Sequence, residues 1–500
     1  MQEPWEINFT LARSPGVPLY LQVAGSVLDR LEKGLLAPGA PLPGTRSLAK
    51  SLGVHRNTVK AAYDELVAGG WVSTAPSRGT FIAAGTSRPG GGRQSGAARI
   101  SIGTVADSEI VGCAPPLPYR RTVVCTDGLP DPRLAPAAEL ARAIRRALRS
   151  PKTWGANDPR GNADLRAAIA EMLRTSRSIP AAPGEIIVSG GRRMSLFLVA
   201  QALLSEGSAV AVEQPGNKAA WEAFEQCGLR VVGVPVDGEG LRTDFLENCA
   251  GVSALYVTPA RQYPTAVSMS PERREHLLSW SRKTSALIIE DDYDSEYQFE
   301  GAPMLPLAAM DAQASIAHIG SISRMFAPAV HSGYIRACNS AAARIARLRN
   351  TTGCDGDRIV EAALFELATD GVLRRHNRRV RSIYRERRDQ LALALRQEFG
   401  NRLKFALPGG GLGMWVEPPA EIDTRAWAES GRRRGLRFAP SMEYRLDRLP
   451  HGGVCIGFAA FSNEELVTVA AALKRSLPES DVPIPPAIQE EGSQFRRCTA

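Results

Sequence analysis

The residues with the most chemistry in this 500-residue chain fall into two groups. One lies within LPGTRSLAKSLGVHRNTVKAAYDELVAGGWVSTAPSRGTFIA: Arg46, Arg56, Asn57, Thr58 and Lys60, then Arg78, Gly79 and Thr80. Cations, an amide and hydroxyls at such close spacing can grip phosphate oxygens and reach the hydrogen-bonding edges of bases. The same basic residues would also suit an ordinary solvated face. The other group is spread over the second half. Asp291 and Tyr293 follow the apolar run SALIIE, and Ser321, Ser323 and Arg324 sit in SISRMF with His331 seven residues on. Arg192 and Arg193 stand in GGRRM, and Asn217 and Lys218 in EQPGNK. Here Asp291 could serve a bound group, or cap a turn or pair with a nearby arginine at its strand end.

Elements must hold the first group in place. A helix is expected from about Leu19 to Lys33, with Leu19, Val23, Val27, Leu28 and Leu31 along its apolar stripe, ending near Gly34. A second opens after the Pro43, Gly44 turn with Thr45 as its N-cap and stops at Gly53; a third runs from Arg56 to Gly69. GWVSTAPSRGTFIA then reads as a β-hairpin, and two short helices around a glycine turn followed by a hairpin match a winged helix-turn-helix. The N-terminal end of the third helix, with Arg56, Asn57, Thr58 and Lys60, would enter the major groove. Arg46 would bind phosphate, and Ser77, Arg78, Gly79 and Thr80 would lie along the adjacent groove.

This stretch resembles the GntR family of bacterial regulators over about 65 residues, in PLYLQ, in LPGTRSLAKSLGVHRNTVKAAYDELVAGGW and in RGTFIA. The resemblance implies a homodimer reading two half-sites of a double-stranded DNA operator through Arg46, Arg56, Asn57, Thr58, Lys60 and Gly79. His55 stands where serine is usual in the family, which puts one backbone contact in doubt.

Composition sets the frame. Apolar residues are 44% and charged residues 23%, close to an average globular protein, so neither a disordered nor a fibrous chain is indicated. Net charge is +9, which favours polyanionic partners without naming one. The eight cysteines are scattered without a CxxC pair, so neither zinc nor a disulfide framework is expected. MQEPWEINFT lacks the layout of a signal peptide and no long apolar run follows, so a cytoplasmic protein without membrane contact is expected. Residues 1–83 form the first domain, and the Gly/Ser/Pro-rich stretch 84–120 reads as a flexible linker. From 121 to 478, apolar runs such as EIIVSGG and SALYVTP alternate with amphipathic stretches, the pattern of an α/β domain with a mostly parallel sheet. Residues 479–500 read as a disordered tail.

The second half resembles a fold-type-I aminotransferase, specifically the domain fused to GntR heads in the MocR subfamily. The landmarks are GLPDPRLAP, NDPRGNADLRAAIAEMLRTSR, EIIVSGG, EQPG, TPARQYPTA, EDDYDSEYQF, SISRMFAPAVHSGYI and RRHNRRVRSIYRERRD. The resemblance implies a pyridoxal phosphate (PLP) site with Asp291 facing the pyridine nitrogen, Tyr293 beside it, and a head-to-tail dimer. The family's Ser-x-Ser-Lys pattern reads here Ser321, Ile322, Ser323, Arg324, and a guanidinium offers no nucleophilic nitrogen for a Schiff base. His331 replaces a phosphate-binding arginine, Asn217 an active-site tyrosine and Cys455 a substrate-binding arginine, while Arg261 and Ala266 stand for His and Gly. Covalent PLP and catalysis are therefore expected to be lost. Arg324 could simply fill the lysine's space; alternatively Arg324, His331 and Arg192 or Arg193 form a pocket for another anion, noncovalent PLP included. Lys218 would need a shifted backbone to supply the missing amine. The arginines of RRHNRRVRSIYRERRD suit a helix packed within this fold better than a DNA contact. The expectation is a DNA-binding regulator whose second domain senses a small molecule and dimerises; the alternative is an active PLP-dependent aminotransferase carrying a DNA-binding head.

Overall fold

The computed structural model describes residues 18–75, 78–83, 122–126, 128–155, 158–248, 251–301, 304–311, 315–326, 330–450 and 452–478. The stretches read as linker and tail, 84–120 and 479–500, and Ser77 of the hairpin tip lie outside these residues. Two units divide between Pro115 and Pro116.

In the first unit, α1 (Leu19–Glu32), α2 (Thr45–Leu52) and α3 (Arg56–Ala68) precede a hairpin of β1 (Val72–Ala75) and β2 (Gly79–Ile82). Val59, Ala62, Tyr63 and Leu66 recur at helical spacing on α3 and are buried against Val23 and Val27 of α1, Leu48 of α2, and Val72 and Ile82 of the hairpin. Each such aliphatic side chain stabilises the unit by roughly 1.5–3 kcal/mol. Gly53 closes α2 in the left-handed region, at φ 60°, where glycine carries no Cβ penalty. The expected cap at Thr45 is corrected: Gly44 is the N-cap and Thr45 the first helical residue. Tyr63 donates to the carbonyl of Pro43 at 2.7 Å, pinning the chain just before this start, and the Thr45 hydroxyl accepts from Arg56 Nε at 3.5 Å instead.

The second unit opens with β3 (Val123–Val124) and the helices α4 (Ala137–Arg149), α5 (Pro151–Trp154) and α6 (Ala163–Arg177). Its main sheet holds β4 (Ile186–Ser189), β5 (Ala209–Gln214), β6 (Arg230–Asp237), β7 (Gly240–Leu241), β8 (Val252–Val257), β9 (Leu287–Asp292), β10 (Ile316–Ser321) and β11 (Gly333–Arg336). Their order is β4-β11-β10-β9-β8-β5-β6-β7. The run from β10 to β6 is parallel, while β11 and β7 pair antiparallel with their neighbours. Helices α7 (Arg192–Leu203), α8 (Lys218–Gln226), α9 (Pro271–Thr284), α10 (Leu307–Met310), α11 (Ile322–Phe326), α12 (Asn339–Thr352) and α13 (Arg358–Thr369) join and cover these strands.

The strands are apolar almost throughout because both faces are covered. Ile186, Val188, Ala209, Ala211, Leu255 and Ile288 enter one core, and the alternate residues Ile187, Val210, Val212, Ala254, Tyr256 and Ile289 enter the other. Parallel pairing brings the carboxyl ends of β4, β5, β8, β9 and β10 to one edge of the sheet, where ligand crevices form in open α/β folds.

The long helix α14 (Val372–Phe399) leads to a smaller layer of β12 (Gly413–Val416), α15 (Thr424–Arg433), β13 (Leu436–Arg437), β14 (Val454–Gly457) and α16 (Asn463–Arg475). It carries the arginine-rich stretch and packs within the fold through Val380, Tyr384, Leu391 and Leu395. Arg387 turns inward to Asp131 at 2.9 Å and Arg388 to Glu300 at 2.7 Å. Among the described residues no helix is long and apolar enough to cross a membrane, and no cluster of metal-ligating side chains occurs.

Candidate functional site

The first unit presents its donors on one side of α3. His55 is the N-cap, its Nδ1 accepting from the N–H of Asn57 at 3.2 Å, so the imidazole does the work usual for serine there. Val59 points into the core while Arg56, Asn57 and Lys60 are exposed and Thr58 is half-buried. Arg46, one residue into α2, is exposed, as are Arg78 and Gly79 at the hairpin; Thr80 is half-buried. Neither α2 nor α3 has an acidic residue in its first turn, so the positive helix ends and these cations add.

In the second unit the carboxyl edge of the sheet gathers the other group. Asp291, near the end of β9, is fully buried; its Oδ2 accepts from the Tyr256 hydroxyl at 2.7 Å and lies 3.4 Å from Nη1 of Arg192. Tyr256 in turn accepts from Asn217 Nδ2 at 3.0 Å. Burial pushes the Asp291 carboxyl above its ordinary range, with Arg192 and the Tyr256 hydroxyl pulling against it. Against the opposite pull of burial, Asp291 holds the Arg192 guanidinium above its ordinary value.

Arg324 stands in α11, directly after β10. Its N–H donates to the Ser321 hydroxyl at 3.3 Å, its own carbonyl accepts from Tyr297, and Nη2 donates to the carbonyl of Gly128 at 2.9 Å. Tyr293 lies between two cations: the guanidinium carbon of Arg324 is 5.2 Å from the ring centroid and that of Arg192 is 5.6 Å. Ser323 lies in the same short helix.

The remaining expected residues scatter. His331 and Arg193 are exposed, so of the proposed anion pocket only Arg192 and Arg324 meet, at Tyr293. Lys218 is tied to Glu443 and does not supply an amine to this site. Arg261 is buried in an ion pair with Asp294 at 2.7 Å and bonds Gln298 at 2.8 Å. Ala266 takes φ 62°, a conformation that suits the glycine usual in the family. Buried Cys455 borders, with Arg324, Arg261, Tyr293 and Gly413, a cavity of only about 20 Å³. Sequence reading missed Tyr256, because a tyrosine inside SALYVTP looks like core, and its hydroxyl meets Asp291 only through the pairing of β8 with β9.

Residues 19–82 match the family of bacterial regulatory proteins named gntR, and residues 128–473 match the class I and II aminotransferases. The probable rhizopine catabolism regulatory protein MocR of Rhizobium meliloti is 28% identical over 460 residues, covering 90% of this chain and 92% of that one. The pyridoxine biosynthesis transcriptional regulator PdxR of Corynebacterium glutamicum is 30% identical over 470 residues, 93% of this chain and 98% of its own. The chain belongs to the MocR group of GntR-type regulators. This MocR-type chain also shares its larger fold with an archaeal alanine:glyoxylate aminotransferase, at 26% identity and a TM-score of 0.68 over 71% of this chain and 91% of that one. It thus joins a DNA-binding head to an aminotransferase-like domain, and the fold of that domain is one associated with PLP.

Proposed function

We propose that this MocR-type regulator works in the cytoplasm as a DNA-binding homodimer whose aminotransferase-like domain is a sensor and dimerisation module and carries out no transamination. The observation that carries this reading is Arg324 itself. It follows β10 where the resemblance gives the Schiff-base lysine, its Nη2 donates to the Gly128 carbonyl, and a guanidinium has no free amine to give.

The residues present do not fit covalently held PLP. Besides Arg324, Oδ2 of Asp291 is taken by Tyr256 and Arg192, and only its Oδ1 has no hydrogen-bond partner among the described residues. The small cavity that borders Arg324 and Tyr293, of about 20 Å³, has room for about one water.

The DNA-contacting set is Arg46, Arg56, Asn57, Thr58, Lys60, Arg78, Gly79 and Thr80. Cations on α2 and the hairpin grip phosphates, and the start of α3 reads bases in the major groove. An anionic effector bound to the second domain biases the dimer toward one spacing of its two heads, a population shift between dimer geometries.

Two experiments test the reading on the full chain. Selection from random duplexes should return a two-half-site operator, and alanine or glutamate with a keto acid and added PLP should give no amino transfer. Turnover would overturn the loss of catalysis, and failure to enrich any duplex would overturn the DNA function.

A further inference from the structure

We propose that Arg192 is a built-in replacement for the cofactor's cation: its guanidinium, set against Asp291 and the ring of Tyr293, takes the place of a pyridinium and lets the domain hold its site together without PLP. This deepens the reading above and rests on Arg324 forming no covalent adduct.

Asp291 has no exposed side-chain surface and sits at the end of a strand buried on both faces. An ionised carboxylate there is costly unless a cation and hydrogen bonds compensate it. Among the described residues Arg192 is the cation within ion-pair distance; Arg324 attracts the carboxylate from further off while its Nη2 bonds Gly128, and Lys218 is tied to Glu443. Asp291 Oδ1 has no hydrogen-bond partner among the described residues, so the compensation is concentrated on Oδ2.

Position 192 is built for this. Arg192 is the first residue of α7, directed by the turn at Gly191 with φ 99°, whereas its neighbour Arg193 is exposed. A guanidinium shares with a pyridinium the two properties the place demands. It is a planar cation that can lie against an aromatic ring, and it donates N–H to a carboxylate. Two arginines then act together: Arg324 removes the amine, and Arg192 fills the ring's place.

The test compares full-length wild type, Arg324→Lys, Arg192→Gln and the double variant Arg192→Gln/Arg324→Lys, each titrated with PLP, reduced with borohydride and weighed intact. The expected result is no adduct on wild type, little on Arg324→Lys alone, and a single adduct at position 324 of the double variant with at least tenfold tighter PLP uptake than Arg324→Lys. Equal uptake by Arg324→Lys and the double variant overturns the role of Arg192 while leaving the loss of catalysis intact. An adduct on wild type overturns that earlier reading instead. Should the variants fold poorly, melting decides: Arg192→Gln should lose stability that Arg192→Lys or an added Asp291→Asn restores. A melting temperature for Arg192→Gln equal to wild type near pH 8, or a loss that neither change restores, overturns the proposal.

Discussion

Arg324 Nη2 donates to the carbonyl of Gly128 at 2.9 Å, joining residues 196 positions apart. The contact ties α11, at the carboxyl edge of the sheet, to the segment that leads into α4. Gly128 can take this position because it has no side chain. At φ 47°, a Cβ there would lie 2.5 Å from the backbone carbon of Leu412.

Gly128→Ala should therefore destabilise the second unit by about 1–3 kcal/mol, since backbone must move to admit one methyl group. Denaturant unfolding of the full chain measures this, and a change within about 0.5 kcal/mol, as at a neutral surface site, would contradict the close approach.

The DNA-facing residues divide by chemistry. Arg46→Ala and Arg78→Ala should weaken binding to all duplexes alike, each lowering the slope of log affinity against log salt by about 1. Asn57→Ala should instead cost about 1–3 kcal/mol of discrimination against a changed base while leaving the salt slope near its original value. Binding titrations at several salt concentrations separate the two classes; a salt slope unmoved by either arginine change would remove those arginines from the phosphate contacts.

His55 caps α3 through Nδ1. His55→Ala should cost about 1 kcal/mol of stability in the first unit, and His55→Ser, which keeps an acceptor, should recover most of it. Melting followed by helical circular dichroism checks this, and equal stability of the alanine and serine variants would show that the ring does not cap.

Glu213, at the end of β5, is buried, which pushes its carboxyl up to about 8 although the Thr258 hydroxyl and N–H both donate to it. The group holds its proton longer when folded than unfolded. Its contribution is therefore fully present below the ordinary carboxyl range and is lost as pH rises toward 8, at up to about 1.4 kcal/mol per pH unit. Glu213→Gln should flatten this fall, gaining on wild type between about pH 5 and pH 8 in melting experiments. A stability difference that does not change with pH would contradict the burial argument.

The elements were legible wherever one residue pattern decides a local structure. The stripe of Val59, Ala62 and Leu66 announces α3, and the apolar run SALIIE announces a buried strand. The α2 cap was misread because Thr45 is a good capping residue by type, while the turn is fixed one residue earlier by Tyr63 on the Pro43 carbonyl, a contact across 20 positions. That Arg324 follows Ser321, Ile322 and Ser323 where the resemblance gives a lysine is read from the order of residues alone. The cation that pairs with Asp291 was not legible: Arg192 and Arg193 are equivalent in sequence, and only the packing of α7 on the sheet turns one toward Asp291 and leaves the other exposed. Tyr256 likewise reaches Asp291 through the pairing of β8 with β9, and Asn217, at the start of α8, reaches Tyr256; no local spacing encodes either contact.

Whether the domain forms a Schiff base is read from the visible absorption of the purified wild-type chain mixed with PLP, followed by borohydride reduction and intact mass. The expected result is a spectrum equal to the sum of protein and free PLP, and an unmodified mass. A new absorption band with a reducible adduct mapping to one lysine would contradict it and return the domain to the working aminotransferases.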